Sequence, residues 1–585
     1  MTSTVTALQF TESNSLGKVS SVDTCRVAID VSNSELLTRI GVGNLVAVQG
    51  CTEFEFLIAI TERVTRTLRD SLPEYPEDDE DMEFNSVPSD LVQCALIGTF
   101  RTVDGEKKNS FKRGADSFPQ IDRVCYVIDG SNLQRFMGLL GADFSENEKL
   151  KLGTFVSDRT ADVIASGDKF FQRHAAILGS TGSGKSYAVA LILERAAKLK
   201  FPNIIVFDMH GEYAPLADNK KGFARKIRIA GPGDIESEQP GVLFLPYWLL
   251  NRDEMLSMIL DRSDQNAPNQ ASRFTMHVRN LKQKTLENEQ KLAIAKTFTV
   301  DSPIPYTIQE LLELLRIDNT TKGVGKNGPV KGEWEDKLTR FISRFESKID
   351  DRRYGFMFSP PTDAQAYEWL GKQLVRILGS EGKKGIKIID FSEVPSDILP
   401  VVTGTLARLL YDVQFWMDGD KRTPVTILCD EAHLYLPIRD GADAVQRQAL
   451  GAFERIAKEG RKYGFSLLVV SQRPSDVSKT ILSQCNNFIV MRLTNETDQS
   501  VIKNLIPDSL SRIINMLPLL DTGEALMLGD AVLLPSRIKL DIPSIAPDSA
   551  TRDFWKEWGE NEPKSDSIEK AVESLRSQTR NSSGK

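Results

Sequence analysis

The strongest constraint on this chain is the run Gly179-Ser180-Thr181-Gly182-Ser183-Gly184-Lys185-Ser186. Ahead of it stands Ala175-Ala176-Ile177-Leu178, an apolar run of strand length, and behind it Tyr187-Ala188-Val189-Ala190-Leu191-Ile192-Leu193, a helical segment. A strand, a glycine-rich turn and a helix in that order belong to a doubly wound α/β domain, with the turn at the carboxyl end of a strand. The spacing G-x-x-x-x-G-K-S adds chemistry to that geometry. Glycines let backbone N–H groups wrap phosphates, the Lys185 ammonium neutralises β/γ charge, and the Ser186 hydroxyl reaches Mg²⁺ at a helix N-terminus. The predicted nucleotide set is Gly179, Ser180, Thr181, Gly182, Ser183, Gly184, Lys185, Ser186 and Tyr187, and the predicted cofactors are ATP and Mg²⁺.

A second run completes such a site. Thr426-Ile427-Leu428-Cys429 ends in Asp430-Glu431, two acids at the strand edge where α/β sheets bind ligands. Asp430 is predicted to hold the Mg²⁺ shell with Ser186. Glu431 is predicted to orient and polarise the attacking water, the role that separates hydrolysing ATPases from P-loop kinases. A third cluster, Asp208-Met209-His210-Gly211-Glu212-Tyr213, follows the apolar strand Ile204-Phe207, so Asp208, His210 and Glu212 are expected to face the same crevice. A metal site on His210 is disfavoured, because no second histidine stands at i+3 or i+4. A fourth segment runs from Gly460-Arg461-Lys462-Tyr463-Gly464 through an apolar strand to Ser471-Gln472-Arg473-Pro474. Gln472, at that strand's end, is expected to sense the γ-phosphate. Arg461, ahead of the strand, is the first candidate for an arginine supplied to a neighbouring subunit's site, and Arg173 the second.

The rest of the chain sorts around these motifs. Residues 1–140 alternate as half-buried strands at Val27-Val31, Leu45-Val48, Phe56-Ile60, Leu91-Ile97 and Val124-Ile128, which predicts a small β-barrel. The acidic run Glu74 to Asp81 reads as a solvated loop. Residues 141–545 alternate strands with helices, the strands being Ala175-Leu178, Ile204-Phe207, Ile386-Phe391, Val425-Cys429, Ser466-Val470 and Phe488-Arg492. Residues of about 250–380 read as a helical insertion with a polar, glycine-containing loop, Thr321 to Gly328. Residues 546–585 read as a polar tail with one helix, Ser567 to Leu575. Six cysteines without a CxxC pair, most in apolar runs, read as buried thiols. No leader-like start and no run near the roughly 18 apolar residues of a membrane span points to a soluble, cytoplasmic protein with no membrane partner. The net charge of −8 excludes a surface coated in positive charge, so any DNA contact is local, as in a ring with a small basic lining.

Taken together the motifs resemble the HerA branch of the HerA/FtsK class of DNA-pumping ATPases. The likeness is carried by Arg173-His174-Ala175-Ala176-Ile177-Leu178 with the glycine-rich run, Asp208-Met209-His210-Gly211-Glu212-Tyr213, Asp430-Glu431-Ala432-His433, Gly460-Arg461-Lys462-Tyr463-Gly464, Gln472-Arg473-Pro474-Ser475 and Gly523-Glu524-Ala525. Met209 stands where the family's motif has proline. The resemblance implies a RecA-like P-loop ATPase core behind a HerA-type barrel, a homo-hexameric ring that threads duplex DNA through its central pore, and hydrolysis at subunit interfaces. It also implies a partner protein, a nuclease or a sirtuin-like NAD-consuming effector, in DNA end processing or anti-phage defence. Lys322, Lys326 and Lys331, or Arg439 and Arg447, are candidate pore-lining residues. Two other readings remain: an ATPase scaffold that regulates an effector enzyme, and a soluble secretion- or conjugation-type ATPase.

Overall fold

The computed structural model describes residues 8–52, 54–70, 86–102, 109–114, 117–142, 144–234, 240–325, 328–380, 384–549, 552–560, 562 and 564–578. The acidic run Glu74 to Asp81, Lys326 and the residues after 578 lie outside these. The chain divides into two compact units. The first comprises Met1–Arg195, Ser471–Ser475 and Cys485–Ser544; the second comprises Ala196–Val470, Asp476–Gln484 and Ile545–Lys585.

In the first unit the expected barrel closes. Its strands are β1 (Ser15–Val22), β2 (Arg26–Val31), β3 (Leu45–Gln49), β4 (Glu55–Asp70), β5 (Ser86–Thr102), β6 (Asn109–Arg113) and β7 (Val124–Ile128). The order β2-β1-β7-β3-β4-β5 returns to β2 through a β2–β5 pairing, and β6 is appended to β5. All of these pairings are antiparallel, with register shifts in β1 and β4 that bend the strands around the closure. Alternate positions fill the interior: Leu16, Val19, Val27, Ile29, Val46, Val48, Leu57, Ala59, Val92 and Val127 are buried together. The same unit contains Ala175–Leu178, which pairs in parallel with Asn487–Val490. Glu524–Gly529, Ser536–Leu540, Lys149–Phe155 and Asp162–Ser166 continue that sheet in antiparallel order.

The second unit is built on a parallel sheet. Its order is Val242–Leu243, Ala224–Ile229, Ile386–Asp390, Ile204–Asp208, Val425–Cys429 and Phe465–Ser471. Ile204–Asp208, Ile386–Asp390 and Val425–Cys429 are buried at every position, because the crossover helices Leu399–Trp416 and Ala444–Glu459 accompany a sheet that water does not reach. Residues of about 250–380 carry the helices Arg252–Ile259, Ala267–Asn288, Ile308–Thr320, Thr339–Asp350 and Trp369–Leu378. Rings of Phe274, Phe341, Phe345 and Phe358 pack together within this region, edge-on except for the tilted pair Phe341 and Phe345.

Three local features differ from the sequence reading. In the glycine-containing segment Gly323–Gly325 pairs antiparallel with Gly328–Val330, where Val324 and Val330 favour extended backbone. A second terminal helix, Phe554–Glu560, precedes the expected one, which spans Ser565–Ser577. Cys94, Cys125, Cys429 and Cys485 are buried, but Cys25 and Cys51 are exposed, since each sits in the turn beside a barrel strand rather than within it.

Candidate nucleotide site

The glycine-rich loop leaves the strand Ala175–Leu178 and enters the helix Lys185–Ala196. Gly182 has φ 73° and Gly184 φ 105°, backbone that L side chains rarely adopt, which is why the motif needs glycine there. Neighbouring backbone pins the loop on both sides. Ser180 N–H donates to the Arg492 carbonyl at 2.8 Å, Gly523 N–H donates to the Ser183 carbonyl at 2.9 Å, and the Thr522 hydroxyl donates to the Gly182 carbonyl at 3.4 Å. Lys185 Nζ donates to the Ser180 carbonyl at 3.2 Å, so the ammonium curls over the loop it belongs to. The Thr181 hydroxyl donates to Gln472 Oε1 at 2.5 Å, which brings the expected sensor amide onto the loop. Thr181, Gly182 and Tyr187 are exposed, while Ser183 is buried and Ser186 half-buried.

The acids lie in the second unit. Phe207 is level with Cys429 on adjacent parallel strands, and Asp430 N–H donates to the Phe207 carbonyl at 3.3 Å. Asp208 and Asp430 therefore leave neighbouring strands at one carboxyl edge. Asp430 is 5% exposed. Burial first, then the charges of Glu431, Asp208 and Glu212, raises its carboxyl well above the usual range, and a backbone hydrogen bond at Glu431 offsets only part of that. Glu431 sits in the left-handed region at φ 44° and ψ 47°, a conformation that strains any residue with a Cβ. Its side chain is 15% exposed, and His433 Nδ1 lies 3.3 Å from Glu431 Oε2.

Asp208 is engaged differently from the expectation of a residue facing nucleotide. Its Oδ1 accepts from the amides of Gly211 at 2.9 Å and Glu212 at 3.1 Å, and its Oδ2 accepts from Tyr213 N–H at 3.0 Å. The carboxylate thus closes its own loop. Burial pushes the Asp208 carboxyl up to about 6; the three amide bonds work against that rise, and Asp390 on the next strand adds to it. His210 points its surface to solvent and Glu212 is half-buried.

The two arginine candidates have unlike settings. Arg173, at the amino end of the P-loop strand, forms an ion pair with Asp530, which Arg113 also meets at 3.2 Å. Burial raises the Asp530 carboxyl, but the Arg173 hydrogen bond and the two positive charges hold it below the usual range. Arg461 is exposed in the turn Gly460–Tyr463, and its guanidinium has no ion pair among the described residues. Of the pore candidates, Lys322, Lys331 and Arg447 are exposed, and Arg439 pairs with Glu454 at 2.8 Å.

Several residues that shape these sites carry no motif of their own. Thr522 and Arg492 brace the loop from more than 300 positions away in sequence, and no local signal in the chain announces them. Tyr213 and Tyr435 are wholly buried beside the acids, and the Tyr435 hydroxyl donates to the Asp430 carbonyl at 3.1 Å. Tyr213 closes a motif that the sequence does display.

Residues 150–410 match the family model for the central domain of the helicase HerA. This segment is similar to HerA central domains. A probable helicase of Methanocaldococcus jannaschii is 26% identical over 456 residues, covering 76% of each chain. The DNA double-strand break repair helicase HerA of Sulfurisphaera tokodaii is 26% identical over 374 residues, 63% of this chain and 65% of that one. VirB4 of Thermoanaerobacter pseudethanolicus superposes with a TM-score of 0.46 at 16% identity, over 68% of this chain and 97% of that one. The chain is an ATP-hydrolysing enzyme. No helix among the described residues is long and apolar enough to cross a membrane.

Mg²⁺ suits the donor set. It keeps several waters and takes one or two protein ligands beside substrate phosphates. Asp430, buried among other carboxylates and without an ion pair among the described residues, is a carboxylate that fits such a role. No cluster of three or more His, Cys, Asp or Glu side chains that could hold a metal ion occurs among the described residues.

Proposed function

We propose that this protein is an ATP-driven translocase on double-stranded DNA, assembled as a homo-hexameric ring around the duplex. The observation that carries this reading is the match of residues 150–410 to the HerA central domain, with the glycine-rich loop inside the matched segment and the acids Asp430 and Glu431 beyond its end. In this reading the amides of Gly179 to Ser186 and the Lys185 ammonium bind the phosphates, and Tyr187 flanks the nucleotide. Ser186 and Asp430 hold Mg²⁺, which, when bound, neutralises charge on the phosphoryl oxygens. Glu431 orients and polarises the attacking water, and its strained backbone fixes where that carboxylate points. Gln472 senses the γ-phosphate through the loop it already touches. Arg461, carried on a free turn, completes the site of a neighbouring subunit, with Arg173 as the second candidate. His210 and Glu212 flank the same chemistry.

The ring works with a partner protein, a nuclease or a sirtuin-like effector, in DNA end processing or anti-phage defence. Duplex DNA passes the pore on a few local basic contacts, consistent with a chain of net charge −8. The deciding experiment measures ATP turnover by the full chain with and without linear duplex DNA, alone and with co-expressed neighbours. Stimulation by duplex, abolished in Glu431→Ala, is expected. Turnover indifferent to DNA under every condition refutes the translocase and leaves the scaffold reading, in which Glu431→Ala retains effector activity.

A further inference from the structure

The loop Asp208 to Tyr213 has a carboxylate occupied with its own backbone, and the residue which that carboxylate fixes at the far end is Tyr213. Asp208 Oδ2 accepts from Tyr213 N–H at 3.0 Å, and Asp208 leaves its strand beside Asp430. The Tyr213 side chain is 0% exposed. Its hydroxyl is buried and has no hydrogen-bond partner. Leaving a buried hydroxyl unpaired costs about 1–3 kcal/mol, so a fold keeps one only under some compensation. The charges acting on that hydroxyl are carboxylates, Asp430 foremost and then Asp208, Glu212 and Glu431, and with burial they hold the phenol in its protonated, donating form. A phenol has one proton to donate, and these carboxylates are acceptors.

We propose that Tyr213 is a positioning residue for the metal side of the nucleotide site, its hydroxyl donating to the Asp430 carboxylate when Asp430 turns to bind Mg²⁺. This rests on the nucleotide reading given above and deepens it. A ligating carboxylate is oriented by hydrogen bonds to the oxygen that does not face the metal, and losing such a bond weakens metal affinity by roughly 10–100-fold. Asp430 has few donors to choose from. Tyr435 is engaged with the Asp430 carbonyl, and the amides of Gly211, Glu212 and Tyr213 are engaged with Asp208. Two buried groups near these acids have no hydrogen-bond partner among the described residues, the Tyr213 hydroxyl and His433 Nδ1, and His433 Nδ1 lies against Glu431 at 3.3 Å, which leaves the tyrosine hydroxyl for Asp430. The loop Asp208-Met209-His210-Gly211-Glu212-Tyr213 then acts chiefly as a mount: Asp208 holds the turn, Gly211 at φ 77° permits it, and Tyr213 delivers the proton.

The proposal separates metal affinity from fold stability, and Tyr213→Phe in the full chain reads both. Removing an unpaired hydroxyl from an otherwise unchanged ring leaves the melting temperature of the nucleotide-free protein equal or higher. Mg²⁺ is titrated against protein and a fluorescent, non-hydrolysable ATP analogue, and the analogue's affinity is measured separately in EDTA. The expected result is an Mg²⁺ requirement raised about tenfold, with EDTA affinity unchanged. Unaltered Mg²⁺ dependence overturns the proposal. So does a melting temperature lowered together with EDTA affinity, since that outcome marks a structural ring. Failure of the wild-type protein to bind the analogue with Mg²⁺ refutes the nucleotide reading itself, a result distinct from a variant that matches wild type.

Discussion

Arg461 offers the sharpest test of how the site is completed, because its position in the sheet forbids one of the two possibilities. Phe465 is level with Val425 on the adjacent parallel strand. Asp430 follows Val425 by five positions toward the carboxyl edge, and Arg461 precedes Phe465 by four toward the other end. At about 3.3 Å per strand residue the acids lie roughly 17 Å beyond the start of those strands, further than an arginine side chain spans. Arg461 therefore cannot serve the acids of its own chain and acts on a neighbour's nucleotide or on none. Exposed and unpaired, it is replaceable by alanine within about 0.5 kcal/mol of stability. Loss of an arginine finger costs on the order of 10³ in turnover, and loss of the P-loop lysine silences the chain that carries it. Mixing Arg461→Ala with Lys185→Ala chains in equal amounts, with exchange of subunits, regenerates complete interfaces wherever an intact Lys185 meets an intact Arg461. Random assembly makes that roughly one interface in four, so turnover should climb from near zero to about a quarter of wild type. A mixture no more active than its two parents refutes the trans role of Arg461.

Two further outcomes follow from groups that the fold holds away from their ordinary state. Burial in the helical insertion, with a further push from Arg408 against the pull of Asp301, lowers Lys282 from its ordinary 10.5 to about 7. The unfolded chain then binds more protons than the folded one between those values, so stability rises with pH across that window at no more than about 1.4 kcal/mol per unit. In Lys282→Met that slope should flatten in chemical denaturation between pH 7 and 9, although the carbonyls of Val300 and Ser302 lose their donor. An unchanged slope refutes the assignment. Gly184→Ala places a Cβ 3.2 Å from Met491 Cε at φ 105°, a strain of about 1–3 kcal/mol. It should lower the melting temperature and abolish the stabilisation that ATP gives wild type. Retained ATP stabilisation would show that the loop tolerates the side chain.

How much of this was legible depends on how local each signal is. The strand, loop and helix around Lys185 are contiguous, and the apolar runs before Asp208, Asp430 and Gln472 are complete in themselves, so each strand was readable within a residue or two. Barrel alternation at Val27 to Val31 was equally local, whereas closure rests on pairing β2 with β5 across about 65 positions, which no window of sequence contains. The P-loop's braces at Arg492, Thr522 and Gly523 are distant in the same way. Asp208 is ambiguous in sequence for another reason. An aspartate after an apolar strand reads as a ligand, but an aspartate two to five residues before free amides also caps its own turn, and only coordinates distinguish the two. Tyr213 was visible as a letter, yet burial of its hydroxyl without a partner is a property of packing alone.

The treatment of buried charge elsewhere in this protein makes the Asp430 neighbourhood stand apart. Glu254, side chain 5% exposed, is met by Arg408 at 2.8 Å; Asp390, at 6%, by Lys226 at 2.8 Å; Asp234, at 8%, by Arg228 at 2.8 Å. Each buried carboxylate in that set has its cation, as desolvation demands. Asp430 is buried as deeply and has carboxylates for company, while the residue after it is held in left-handed backbone at φ 44°. Glycine would relieve the strain at position 431, and an apolar residue would relieve the repulsion at 430. Both reliefs would remove the groups that a metal-bound triphosphate requires. An unmatched negative charge on a rigid parallel sheet is a standing demand for a cation, and a cation that enters with its nucleotide makes occupancy of the site depend on both. Mg²⁺ with ATP should accordingly raise the thermal stability of the chain by more than ATP in EDTA and Mg²⁺ alone do in sum; strict additivity would mean that the acids are balanced by something other than the nucleotide's metal.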